Sequence, residues 1–182
     1  ENVVIKIDQK NLYNLELQRK NKINGTSNEF ERFSTAKLEK EKKNYDIKMR
    51  VKGDRVLHWY DKDQTSYKID LRGDKRIWGL EEFSVQKPIT RNYIYEYIFH
   101  KLLEANELIS LKYFFINLTL NDSAQGIYAV EEGFSKELIE RNKKRNGPIF
   151  GLEESSGTDY PNVEYDLYSK KYWTTNHSKL TE

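Results

Sequence analysis

Residues 45–54 read YDIKMRVKGD, and the rest of the chain can be read outward from them. Tyr45, Ile47, Met49 and Val51 alternate with Asp46, Lys48 and Arg50. Successive side chains on a strand point to opposite faces, so this spacing predicts a strand with one buried face. Lys52-Gly53-Asp54 then ends it in a turn, where glycine and aspartate are favoured. The alternation returns at residues 66–71: Tyr67, Ile69 and Leu71 face one way, Ser66, Lys68 and Asp70 the other. Residues 83–86 read as a short strand. Residues 111–120 (LKYFFINLTL) and 126–130 (GIYAV) read as a hairpin turning at Asn121-Asp122.

Upstream, residues 2–8 (NVVIKID) predict an opening strand, and 12–22 a short helix carrying the partial stripe Leu12, Leu15 and Leu17. Residues 37–44 are a run of mixed charge, expected as a solvated connector. The clearest helix begins at Thr90. Tyr93, Ile94, Tyr97, Ile98, Lys101 and Leu102 recur at the spacing of an amphipathic helix, with Thr90 as N-cap and Pro88 at the boundary. Ser135 caps a further short helix to Asn142, stopped by Gly147-Pro148. Residues 149–152 predict a last strand, followed by a Tyr-rich tail without clear periodicity. The expected class is α+β: an antiparallel sheet with one packed amphipathic helix. Residues 1–44 form an N-terminal extension, 45–147 the main body and its linker helix, and 148–182 the start of a second lobe.

Composition narrows the function classes. A hydrophobic fraction of 37% and an aromatic fraction of 13% are too high for a disordered chain, despite 33% charged residues. The 182 residues suffice for a real core. A net charge of +2 gives no electrostatic case for nucleic acid. The absence of cysteine excludes disulfides, thiolate metal sites and cysteine nucleophiles. No apolar run approaches the ~20 residues that span a bilayer. The chain opens on Glu1 rather than Met, so the expectation is a piece of a longer protein, with any signal or anchor upstream.

Element order carries more information than any single motif. It runs strand, glycine turn, strand with a lysine, helix, hairpin, acidic exit, helix, and it resembles the small lobe of a protein kinase. In that arrangement a glycine turn lets backbone approach phosphates, and a strand lysine holds their oxygens. Lys68 is the candidate phosphate lysine, with the small Ser66 on the same strand face; its plainer reading is a solvated lysine. Lys52 and Gly53 would lie at the phosphate-proximal turn, which taken alone is an ordinary turn. Glu96, mid-helix, could pair with Lys68 or simply face solvent. Arg91, in the first helical turn, opposes the helix dipole, which suggests a phosphate role or an ion pair. Glu131 and Glu132 close the last strand, as paired carboxylates for acid–base or metal chemistry or as a hinge whose backbone meets the ligand. His58, His100 and His177 share no metal-ligand spacing. The patterns at Asn24 and Asn117 match glycosylation sequons, which short sequences often do by chance.

Several stretches in order resemble the CotH (spore coat protein H) kinase family: Arg50-Val-Lys-Gly-Asp54, Ser66-Tyr-Lys-Ile, Gly79-Leu-Glu-Glu-Phe-Ser-Val-Gln86, Thr90-Arg91, Asn117-Leu-Thr-Leu-Asn121 and Gly126-Ile-Tyr-Ala-Val-Glu131-Glu132. The resemblance runs from about Tyr45 to Gly147. It implies an atypical kinase fold whose small lobe binds ATP with Mg or Mn and whose whole phosphorylates Ser/Thr of a protein, such as a spore-coat or envelope protein, at a bacterial surface. It implies Lys68, Ser66, Lys52, Gly53, Glu131 and Glu132 at the nucleotide, with Glu96 and Arg91 as a supporting ion pair. Many members carry a lysine where Gln64 stands, and Lys62 is the nearest here. The family's catalytic aspartates belong to the large lobe; Asp159 and Asp166 lack its motif, so those groups are expected beyond Glu182. Two further readings stay open: a non-catalytic surface or coat module, and a carbohydrate-binding module using Tyr and Trp.

Overall fold

The structure, a computed structural model, describes residues 1–25, 32–53, 55–145, 147–153 and 164–176. Asp54, Asp159 and His177 lie outside the described residues, as does the side chain of Gln64. The chain divides into two compact units, Glu1–Gly133 and Phe134–Glu182.

The first unit is a closed barrel of seven strands: β1 (Asn2–Lys6), β2 (Ser34–Lys40), β3 (Lys43–Val51), β4 (Tyr67–Leu71), β5 (Glu82–Gln86), β6 (Tyr113–Leu120) and β7 (Ser123–Glu132). They follow one another around the barrel as β1-β2-β3-β4-β5-β7-β6. Every pairing is antiparallel except the closing one, where β1 runs parallel to β6 with Asn2 opposite Asn117 and Ile5 opposite Leu120. Asn121 anchors that seam. Its backbone N–H donates to Ile5 O at 2.7 Å, and its side-chain Oδ1 accepts the Ile7 N–H at 2.8 Å.

This corrects the expected fold class. An antiparallel sheet backed by an amphipathic helix would leave two edges and bury one helix face. Here the sheet curls until β1 meets β6, which satisfies both edges at once. The sheet's inner face then packs on itself. Ile5, Leu38, Ile47, Met49, Ile69, Phe83, Ile116, Leu118 and Tyr128 fill the interior, and all are essentially inaccessible. The alternation read from residues 45–51 and 66–71 names β3 and β4 and their inward side chains. The charged run at 37–44 is not a connector: its first four residues finish β2, and Leu38 enters the core. Glu41 and Lys42 turn the hairpin with positive φ.

Two helices lie outside the barrel. Helix α1 (Gln9–Ile23) is capped by Asp8, whose carboxylate accepts the Asn11 N–H at 2.8 Å. It seats Leu15 against the core, and its buried Gln18 bridges Arg32 O and the Val51 N–H. Helix α2 (Tyr95–Ala105) starts later than the sequence suggests. A 3₁₀ turn, Pro88–Arg91, takes up Thr90, whose hydroxyl donates back to Lys87 O. The expected packed stripe is absent: of the α2 residues only His100 is buried, and Tyr97 meets the outward Phe115 of β6 with ring centroids 6.0 Å apart.

In the second unit, Ser135 caps α3 (Lys136–Arg141) by accepting the Leu138 N–H at 3.2 Å. Strands β8 (Phe150–Glu153) and β9 (Glu164–Leu167) pair antiparallel, and α4 (Lys170–Asn176) buries Trp173. No helix of the described residues is long and apolar enough to cross a membrane.

Because β1 closes the barrel, Ile5→Ala should destabilise the protein by about 2–5 kcal/mol through the cavity it leaves. Ile127→Ala, on the outer face, should shift it by roughly 0.5 kcal/mol or less. Urea denaturation of both variants checks the difference.

Candidate functional site

Strand alternation sends Val51, Phe83, Val85 and Val130 inward, and with them it sends Lys52, Ser84, Gln86 and Glu131 to the outer surface. Pairing then brings them together. Ser84 stands opposite both Lys68 and Glu131, Tyr113 stands opposite Glu131, and the Lys52 N–H donates to Ser66 O at 2.8 Å. The result is a polar cluster on the outside of β3, β4, β5, β7 and β6.

Its centre is a covered ion pair. Lys52 Nζ lies 2.7 Å from Glu131 Oε1 and donates to Gln86 Oε1 at 3.0 Å. The Gln86 amide closes the triangle by donating from Nε2 to Glu131 Oε2 at 2.6 Å. Gln86 is fully buried, so a single amide holds both charged partners in one geometry. Burial pushes Glu131 up, but the charges of Lys52 and Arg91 and the bonds from Lys52 and Gln86 outweigh it and hold the carboxyl below its usual range. At Lys52 burial prevails over Glu131 and draws the amine down. Arg91, from the 3₁₀ turn, approaches the same carboxylate more loosely, with Nε 3.6 Å from Glu131 Oε2.

A loop covers one side of this cluster. Gly53 has φ +84°, which favours glycine, and a Cβ there would fall 2.4 Å from His58 Cδ2. The missing side chain is therefore the space into which the His58 ring packs. His58 Nδ1 lies 3.0 Å from Ser66 Oγ, and its carbonyl accepts the Ser66 N–H at 2.7 Å. Burial first, then the positive charges of Lys52 and Arg91, lower the imidazole to about 4.

Three buried polar atoms make no hydrogen bond of ordinary geometry here: Arg91 Nε, Tyr113 Oη and His100 Nε2. Buried polar atoms are paired in the great majority of cases, so three orphans around one ion pair mark a place built for something besides packing. A groove of about 710 Å³ is lined by Pro88, Ile89, Tyr93, Ile94, Phe115 and Ile127, with Asp63 and Lys87 also in its wall; none of the cluster's own residues lines it.

The structure thus gathers Lys52, Gly53, Ser66, Arg91 and Glu131 from four segments. Lys68 is on the same outer surface but turned away, 3.0 Å from Glu82. Glu96 does not meet Arg91 or Lys68; its Oε1 lies 3.3 Å from His100 Nε2. Glu132 follows Glu131 in the alternation and so faces the opposite way, accepting the Lys112 N–H at 2.8 Å. Gln86, His58 and Tyr113 were not singled out as site residues by the sequence. Gln86 was nonetheless findable: Phe83 and Val85 alternate inward, which places it on the face of Lys52. Among the described residues no group of three or more His, Cys, Asp or Glu converges as a metal site. Comparison with protein-family models and with curated proteins finds no match for this chain.

The His58 ring should titrate by NMR with a midpoint near 4 rather than 6.5. A buried histidine with a lowered pKa contributes stability in full above about pH 6.5. That contribution is lost as pH falls toward 4, at about 1.4 kcal/mol per pH unit. His58→Phe should flatten this part of the stability–pH curve.

Proposed function

We propose that this chain binds the phosphates of ATP at Lys52 and Arg91, as the nucleotide-binding part of a CotH-like protein kinase acting on Ser/Thr of a coat or envelope protein. The observation that carries the reading is the convergence just described. The stretches that resemble the family are separated by up to eighty residues in sequence, yet Lys52 and Gly53, Ser66, Gln86, Arg91 and Glu131 meet in one cluster. The reading does not depend on a kinase-type lobe, which the closed barrel replaces.

The donors suit a phosphate. Two cations share the Glu131 carboxylate, and the looser of them, Arg91, keeps a buried Nε without a hydrogen bond. A guanidinium offers planar, paired donors to phosphate oxygens, whereas the Lys52 amine already has two acceptors. Lys52 then supplies fixed positive charge, and Arg91 the direct contact. The apolar groove that includes Pro88 and Ile89, from the same 3₁₀ turn as Arg91, with Tyr93 and Phe115, is of a size for a nucleoside. Mg or Mn does not fit the donors present: Glu131 Oε1 is taken by Lys52 and Oε2 by Gln86. The cluster thus serves binding rather than phosphotransfer.

Isothermal titration with ATP, with and without Mg, tests this. Arg91→Ala should weaken binding by about tenfold or more, as expected for one lost charge-assisted hydrogen bond. Lys68→Ala should leave it within about threefold. ATP that does not bind at millimolar concentration, or binds Arg91→Ala as well as the parent, would overturn the reading.

A further inference from the structure

Helix α2 is held to the barrel by very little. Only His100 among its residues is buried, while Tyr95, Ile98, Phe99 and Leu102 are 68%, 44%, 52% and 58% exposed. Its ends are hinged and strained. The chain enters through Asn92 and Tyr93, both left-handed at φ +49° and +63°, and leaves through Glu107 at φ +56°. An L-residue held there costs roughly 1–2 kcal/mol, and a bulky tyrosine adopts it rarely. The docked helix is thus kept in place against its own backbone.

What keeps it there is the His100 ring in one protonation state, with Tyr97 of α2 laid against Phe115 of β6 at 6.0 Å between ring centroids. His100 Nδ1 accepts the backbone N–H of Leu111, at the foot of β6, at 3.2 Å. An acceptor at Nδ1 puts the proton on Nε2, which lies 3.3 Å from Glu96 Oε1 without completing a hydrogen bond. The ring packs at 6.0 Å from Tyr113 of β6 and 5.6 Å from Phe99 of α2. A second proton would set an N–H at Nδ1 against the N–H of Leu111, two donors facing one another in a buried site. The imidazolium would then leave both donors unsatisfied, at a cost of about 1–3 kcal/mol each.

We propose that His100 is the latch of a movable helix: α2 is docked on β6 while the ring is neutral, and swings out about Asn92–Tyr93 and Glu107 when the ring takes a second proton. The charged groups around the ring are Glu96 on α2 and Glu131 and Glu132 on β7, with neutral Tyr113 on β6. The three carboxylates favour the proton, but burial is the larger influence and draws the imidazole below its ordinary value. The sign follows. The undocked histidine, in water, binds protons more readily than the docked one. Undocking is therefore favoured as pH falls through about 6.5, by about tenfold in the undocked-to-docked ratio for each pH unit. Swinging out would remove Glu96 from the surroundings of Lys52. The inference stands apart from the nucleotide reading and holds whatever the cluster binds.

The chain has no cysteine, so spin labels can be placed cleanly at Glu104→Cys on α2 and Lys48→Cys on β3. A second pair, Lys48→Cys with Asn117→Cys, monitors the barrel alone. The expected result for the first pair is one distance at pH 7.5 and a second, longer one growing in below pH 6.5, while the barrel pair is unchanged. In His100→Gln, whose amide cannot titrate, the α2 distances should not respond to pH, whether the helix is docked or free. A single α2 distance down to pH 4.5, simultaneous loss of both pairs, or an intact pH response in His100→Gln would each overturn the proposal.

Discussion

Closure of the sheet by the parallel pairing of β1 with β6 is the constraint on which the rest of this molecule depends. Four residue pairs, Asn2 with Asn117 through Ile5 with Leu120, convert an open sheet into a barrel. Asn121 secures the seam at one end and the Glu1 carbonyl, accepting from Asn117, at the other. Once closed, the interior is filled by aliphatic and aromatic side chains. The polar cluster around Lys52 and Glu131 lies on the outside of the wall, beneath the loop that carries His58.

On that outside surface the Lys52–Gln86–Glu131 triangle is costly. Removing two charges from water is only partly repaid by their attraction, and a buried ion pair is poor evidence of a stabilising role. The cost here is raised further, because His58 is held neutral beside it and three polar atoms nearby make no hydrogen bond of ordinary geometry. A fold selected only for stability could place apolar residues at these positions. The arrangement makes better sense as fixed charge, held by a buried amide, with the His58 ring packed on Gly53 at its side.

Helix α2 completes the picture from the opposite direction. Its sequence has the spacing of a packed amphipathic helix, yet the structure gives it one buried side chain, and that side chain is a histidine. Amphipathic periodicity states which residues share a face and is silent about what that face meets. Here a curved and closed sheet presents Tyr113, Phe115 and the ion-pair cluster. The helix meets it through Tyr97 on Phe115 and through the bond from Leu111 to His100, with little buried area.

The sequence by itself determined several of the strands, though not β2, whose charged residues read as a connector. The period-two alternation at Tyr45–Val51 and Tyr67–Leu71, the hairpin at Asn121 and the cap at Ser135 are local, because strand pleat, turn backbone and capping bonds each depend on a few adjacent residues. Alternation also tells which side chains leave the core together, and carried through residues 83–86 it places Gln86 outward, although the sequence reading did not single it out. Tertiary structure alone decided which strands became neighbours. The closing of β1 on β6 joins residues more than a hundred positions apart, and no local pattern encodes that pairing. The same long-range pairing chose Glu131 as the partner of Lys52, gave Lys68 to Glu82, and parted Glu96 from Arg91. A charged side chain takes whichever opposite charge the folded chain brings within a few ångströms, and that distance is a property of the closed barrel.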